Sequence, residues 1–201
     1  MACGITTWEE EGNKWRLYTK AEHPIFWRRT DSGYLYRSMT DEFPLPLDWP
    51  VDVNYHEAKA FCNYKSEKSG ELIRLPTENE WLRLRDEAGL TQKVYSDGFN
   101  IALHKFASSE PVNVNKTGEF FDVVGNVWQW TEPPIYPYDG FKVHPLYDDF
   151  TTPTYDNKHN LIKHVKNCVE DNFTWRIFVC SRTANGLFAN DEKAASAERI
   201  T

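Results

Sequence analysis

Aromatic side chains make up 15% of this 201-residue chain, with eight Trp, ten Tyr and twelve Phe against two Met. Rings bury large areas with few rotatable bonds, so they can organise a core without long regular elements. Eleven Pro and ten Gly interrupt such elements often. Together these predict a loop-rich α+β domain, and the length suits one good-sized domain or two small ones. Charged residues reach 26% and the net charge is −7, with no long basic run, so nucleic acid is not expected as a partner. No apolar run is long enough to span a bilayer, in line with a mean hydropathy of −0.65, and no membrane partner is expected. At the N-terminus Trp8-Glu9-Glu10-Glu11 interrupts what would be the apolar core of a signal peptide. Cys3, Cys62, Cys168 and Cys180 are scattered with no CxxC spacing. Neither a zinc ribbon nor a disulfide framework follows, and a reducing cytoplasm is the expected location.

Along the chain, residues 1 to about 49 are polar and aromatic with weak periodicity. Trp27-Arg28-Arg29 and Tyr34-Leu35-Tyr36 read as short strands around a turn at Asp31-Ser32-Gly33. After the connector Phe43-Pro44-Leu45-Pro46-Leu47-Asp48-Trp49-Pro50, two helices are predicted. The first opens at Asn54, with Glu57 completing a capping box, and stops at Ser69-Gly70. Ala58, Phe61 and Cys62 share its apolar face. The second opens at Thr77 with Glu80, buries Trp81, Leu84 and Ala88, and ends near Gly89. Leu72-Ile73-Arg74-Leu75 between them is a short strand or an extended link. Residues 90 to 163 have no helical period and predict short strands and ordered loops. In the tail, Asn172–Val179 reads as a strand and Ala194–Glu198 as a frayed helix.

The chain has no dinucleotide glycine fingerprint, Walker loop, His-Glu-x-x-His or Gly-x-Ser-x-Gly. The histidines at 23, 56, 104, 144, 159 and 164 include no pair at the helical spacing of metal ligands. The densest cluster runs Phe121-Asp122-Val123-Val124-Gly125-Asn126-Val127-Trp128-Gln129-Trp130-Thr131-Glu132. Gly125 suits a sharp turn, and Trp128 and Trp130 share one side if extended. Asp122, the Gln129 amide and the carbonyls of Gly125 and Val127 could hold calcium. The same residues could equally form a tryptophan-packed core with a hydrogen-bonded turn. Next comes Pro133-Pro134-Ile135-Tyr136-Pro137-Tyr138-Asp139-Gly140-Phe141. Its prolines fix an extended loop that presents two phenols at low entropic cost. A phenol so placed could donate a proton or bind a substrate carboxylate, or simply pack.

The segments Pro50–Ala58, Phe61-Cys62, Arg74-Leu75-Pro76-Thr77-Glu78-Asn79-Glu80-Trp81 and Gly125-Asn126-Val127-Trp128-Gln129-Trp130-Thr131 resemble the formylglycine-generating-enzyme-like (sulfatase-modifying factor) domain. That resemblance implies a compact, loop-rich fold related to C-type lectins. The long run Pro134–Thr154 and His159-Asn160-Leu161-Ile162-Lys163, with His23-Pro24-Ile25-Phe26-Trp27 and Gly33-Tyr34-Leu35-Tyr36-Arg37, is similar to one branch. This branch is the 5-histidylcysteine sulfoxide synthases of ovothiol biosynthesis, sisters of the ergothioneine sulfoxide synthases. It implies an oxidoreductase that uses non-haem Fe(II) and O2 to join the sulfur of cysteine to histidine. It also implies that Tyr136 is the active-site tyrosine and Tyr138 a neighbouring substrate contact. In the wider superfamily the turn matching Asp122, Gly125, Val127 and Gln129 is a calcium site, although Gln129 stands where glutamate is usual. Asn100-Ile101 matches a second such site.

The resemblance covers residues 15–163 and leaves 164–201 as an unmatched tail, so the domain is expected to be incomplete at its C-terminus. The family holds its iron with three histidines of a separate N-terminal helical domain, and no such pattern occurs here. The expectation is therefore a partial domain, inactive alone. The alternative is a stand-alone, non-catalytic module that binds small molecules on the same scaffold. A thiol oxidase would instead have to use Cys168 and Cys180 of the tail.

Overall fold

Helix α1 (Glu10–Thr19) carries Glu10 and Glu11 in its first turn, where the helix dipole favours negative charge. It ends at Lys20 in the left-handed conformation, φ 55°. The computed structural model describes residues 7–90, 99–100, 108–163 and 178–179. The weak periodicity of the first 49 residues does not disclose α1, because its contact surface is one glycine and two rings rather than an aliphatic stripe. Gly12 lies against helix α2 (Tyr55–Ser69) so closely that a Cβ would come within 3.2 Å of both the His56 Cβ and the Trp8 ring. Trp8 stacks on Trp15 at a centroid distance of 6.3 Å, and Trp15 stacks on His56 at 6.4 Å.

Strands β1 (Trp27–Thr30), β2 (Gly33–Arg37) and β3 (Glu42–Pro44) form an antiparallel meander. The pair Thr30–Gly33 closes the first turn around Asp31-Ser32, as the sequence pattern predicts. Tyr36 is almost fully buried; its hydroxyl donates to Asp52 Oδ2 at 3.2 Å and meets Ser108 Oγ at 3.1 Å. Its ring forms a box with Phe43 and Trp49, centroids 5.5 to 5.8 Å apart. The proline-rich connector is thus held by rings, and strand β4 (Val51–Asp52) follows it.

Both predicted capping boxes are formed. Asn54 and Glu57 exchange side-chain and backbone hydrogen bonds at the start of α2, and Thr77 and Glu80 do so before helix α3 (Glu78–Glu87). Gly70 ends α2 with φ 74°, and Gly89 follows α3 with φ 68°, conformations that cost glycine little. Ala58 and Cys62 of α2 meet Ile73 and Leu75, with Val53, Tyr55 and Trp130 packed against them; Phe61 is only half-buried. Leu84 and Leu90 meet Val123 and Val124 in a second cluster.

Residues 72–75 are an extended link rather than a strand. The partner for Ile73 is a side chain: Ser66 Oγ accepts from the Ile73 N–H at 2.8 Å and lies 3.0 Å from the Ile73 carbonyl. Strands β5 (Lys116–Thr117) and β6 (Phe120–Phe121) make a small hairpin. Strand β7 (Gln129–Pro134) pairs antiparallel with β8 (Asn160–Lys163), with Gln129 opposite Lys163 and a bulge between Trp130 and Pro134. Between them lie one turn of helix, α4 (Asp148–Thr151), and two 3-10 turns at Pro145–Tyr147 and Thr152–Thr154. Strand β9 (Phe178–Val179) pairs antiparallel with β4 and is the end of the strand predicted at 172–179. The helix predicted at 194–198 lies outside the described residues. The architecture is mixed helices and small antiparallel sheets, a loop-rich α+β domain.

Ser66→Ala is expected to lower stability by about 1–2 kcal/mol, because it orphans the Ile73 N–H. Ser69→Ala, which removes only an exposed bond to the Glu71 N–H, should cost less than about 0.5 kcal/mol. Urea unfolding of the two variants checks this, and equal effects would contradict the role given to Ser66.

Candidate functional site

The sharp turn before β7 depends on three residues with positive φ: Asp122 at 48°, Gly125 at 83° and Asn126 at 58°. Asp and Asn tolerate this region better than other side chains. The Asn126 side-chain amide then pairs with the Glu110 backbone, its Oδ1 accepting from the N–H at 2.8 Å and its Nδ2 donating to the carbonyl at 3.0 Å. Beyond the turn, Gln129 and Thr131 point inward while Trp128 and Trp130 are half-buried on the other side. The Trp130 indole donates to the Val53 carbonyl at 3.1 Å.

Gln129 holds the turn to α3. Its Oε1 accepts from Trp81 Nε1 at 2.7 Å, and its Nε2 donates to the Asp122 carbonyl at 2.7 Å. An indole N–H can only donate and a carbonyl can only accept, so the amide has one orientation here. Both ends of the Gln129 amide are therefore used within the protein. Asp122 is fully buried; Asn115 donates to its Oδ1 at 3.3 Å, and its Oδ2 has no hydrogen-bond partner. Burial pushes the Asp122 carboxyl up to about 7, against the lowering effect of bonds from Asn115 and Asn126. One free carboxylate oxygen is not a coordination shell, and the set Asp122, Gly125, Val127 and Gln129 does not fit a calcium ion in this arrangement. Asn100 is buried and donates to the Ser108 carbonyl at 2.9 Å; Ile101 lies outside the described residues.

The two phenols follow β7. The Ile135 N–H donates to the His159 carbonyl at 2.7 Å, the last tie to the sheet. The chain then leaves the sheet and turns at Asp139-Gly140, where the Phe141 N–H reaches the Tyr138 carbonyl at 2.9 Å. Tyr136 and Tyr138 are 47% and 65% exposed, and their rings meet edge to face at 6.3 Å. The Tyr138 hydroxyl donates to Glu78 Oε1 at 2.9 Å. Lys163 Nζ donates to the same oxygen, and it stands 6.0 Å from the centre of the Trp81 ring. The bond to Glu78 holds the Tyr138 phenol above its ordinary pKa, with burial and the Glu78 charge adding to it. It is therefore a neutral donor at physiological pH.

Sequence reasoning brought Tyr136 and Tyr138 forward but missed Glu78 and Lys163. Glu80 alone completes the capping box, so the extra acid at Glu78 was the available signal. Cys62 is buried, and its thiol is pushed up to about 12 by that burial, which leaves it unreactive. Cys168 and Cys180 lie outside the described residues. Among the described residues no three or more His, Cys, Asp or Glu side chains are placed to hold a metal ion, so they do not fit an iron centre. No helix among them is long and apolar enough to cross a membrane.

Residues 6–154 match the Sulfatase-modifying factor enzyme 1-like domain. The chain belongs to that family. It is 29% identical over 153 residues to "Ergothioneine biosynthesis protein 1" of Schizosaccharomyces pombe, covering 72% of this chain and 18% of the relative. It is 27% identical over 175 residues to "Hercynine oxygenase" of Mycobacterium tuberculosis, covering 78% and 38%. It is 33% identical over 107 residues to "Inactive C-alpha-formylglycine-generating enzyme 2" of Bos taurus, covering 42% and 33%. This sulfatase-modifying-factor domain is thus related to the hercynine oxygenases and spans less than two fifths of these relatives' lengths.

Gln129→Glu would set a carboxylate oxygen against the Asp122 carbonyl in place of the amide donor. The expected loss of stability is about 1–3 kcal/mol. Chemical denaturation reads it, and an unchanged midpoint would mean that the Gln129 bridge is not made in solution.

Proposed function

We propose that this chain is the lectin-like part of a non-haem iron sulfoxide synthase of the 5-histidylcysteine type, which joins cysteine to histidine with O2. The observation that carries the reading is the pair of exposed phenols on a proline-fixed loop, in a domain related to hercynine oxygenases. Tyr136 is the active-site phenol in this reading, and Tyr138 beside it contacts substrate. A half-exposed phenol on a rigid loop can present a proton to bound substrate with little reorganisation. The iron set would come from residues outside those described, so no step through the metal is assigned to this chain. The same reading keeps the protein in the cytoplasm, where its scattered cysteines stay reduced.

The purified 201-residue chain, given cysteine, histidine, Fe(II) and air, is expected to form no cysteine–histidine sulfoxide by mass spectrometry. A longer protein that carries this chain and an iron-binding domain is expected to form it. There, Tyr136→Phe should slow carbon–sulfur coupling by roughly 100-fold. Product from the short chain alone would overturn the partial-domain reading, and full coupling by Tyr136→Phe would overturn the role of the phenol.

A second reading is a stand-alone module that binds small molecules without catalysis. The bovine relative favours it, since its name describes an inactive formylglycine-generating enzyme. Metal-free calorimetric titration of cysteine and histidine into the chain separates the two. Binding to the chain with no metal present would support the module, and no binding without the iron-binding part would support the synthase reading.

A further inference from the structure

We infer that Glu78 is the positioning residue of the tyrosine loop: its buried carboxylate, pinned by Lys163, holds the Tyr138 hydroxyl and thereby sets the Tyr136 phenol. The inference rests on the reading of Tyr136 as the active-site phenol and extends it to a residue outside the loop. Glu78 is 6% exposed and has no part in the capping box, which Thr77 and Glu80 complete without it. A buried carboxylate without partners is costly. This one stands at the first position of α3, where the helix dipole favours its charge, and it receives two donors on a single oxygen. One donor comes from β8 and the other from the loop, so three elements 60 and 85 residues apart in the chain meet at that atom.

The loop needs such an anchor. After Ile135 its backbone leaves the sheet, and the next backbone bond, from Phe141 to Tyr138, is internal to the loop. The rings of Tyr136 and Tyr138 meet edge to face, so the orientation of Tyr138 is passed to Tyr136. A phenol as exposed as Tyr138 has water as an alternative partner, and the charged acceptor is what makes the protein bond the stronger of the two.

The test is NMR of the full 201-residue chain with tyrosine labelled at the ring carbon that bears the hydroxyl. Tyr138→Phe identifies the Tyr138 signal among the ten. In the Glu78→Gln variant a charged acceptor becomes neutral and Lys163 is left without its anion. Both changes favour the phenolate, so the Tyr138 ionisation midpoint should fall by about one pH unit, and the Tyr136 signal should move with it. Lys163→Met removes a cation and keeps the carboxylate, so the Tyr138 midpoint should not fall. This second variant carries the test if Glu78→Gln does not fold.

Equal downward shifts in both variants would indicate packing alone and overturn the inference. So would an unchanged Tyr138 signal in Glu78→Gln, or a lowered midpoint in Lys163→Met when that variant stands alone. The readout does not depend on activity. A failed titration therefore sinks the positioning role while leaving the synthase reading intact. A successful titration, in a longer protein that makes no carbon–sulfur bond, sinks only the synthase reading.

Discussion

The amide of Gln129 is the point on which the arrangement turns. It accepts from the Trp81 indole and donates to the Asp122 carbonyl, both at 2.7 Å, and it is 4% exposed. Helix α3, the positive-φ turn at 122–126 and the start of β7 are therefore joined by one side chain. Inside the protein such bonds face no competition from water, and the loss of either leaves a buried polar group unsatisfied. The pairing of β7 with β8 then brings Lys163 opposite Gln129 and next to Glu78.

The position of the phenols follows from that link. The Trp81 side chain donates to Gln129 and has the Lys163 ammonium 6.0 Å from its ring centre, and Glu78 at the N-terminal end of α3 accepts from Tyr138 of the loop that leaves β7. Two prolines end the strand and a third separates the tyrosines, which limits the backbone to extended forms. Tyr138 then needs only one side-chain bond to be placed. Regular structure is sparse, and rings and single side chains do the joining elsewhere too: Tyr36 ties β2 to β4, and Ser66 stands in for a strand partner of Ile73.

What the sequence discloses is what short-range chemistry decides. The two capping boxes each close within three residues, and the β1–β2 turn closes within four. All were readable without tertiary information. Helix α1 was not, because Gly12 and its flanking tryptophans make a contact surface that no hydrophobic period reveals. The link at 72–75 stayed undecided between strand and coil until Ser66 supplied its partner. Gln129 read as an oxygen donor for calcium because its true partner, Trp81, is 48 residues away. Glu78 read as part of a helix start because Tyr138 and Lys163 lie 60 and 85 residues further on. The phenol loop was legible, since prolines beside tyrosines act locally; the residue that anchors it was not.

The Gln129 link can be tested directly through hydrogen exchange of the Trp81 indole N–H in the native chain, followed by NMR. This proton is expected to exchange among the slowest of the eight indoles, at a rate set by global unfolding. Exchange as fast as that of Trp27, which is half-buried on β1, would contradict it. The tyrosine loop would then have no fixed support beneath it.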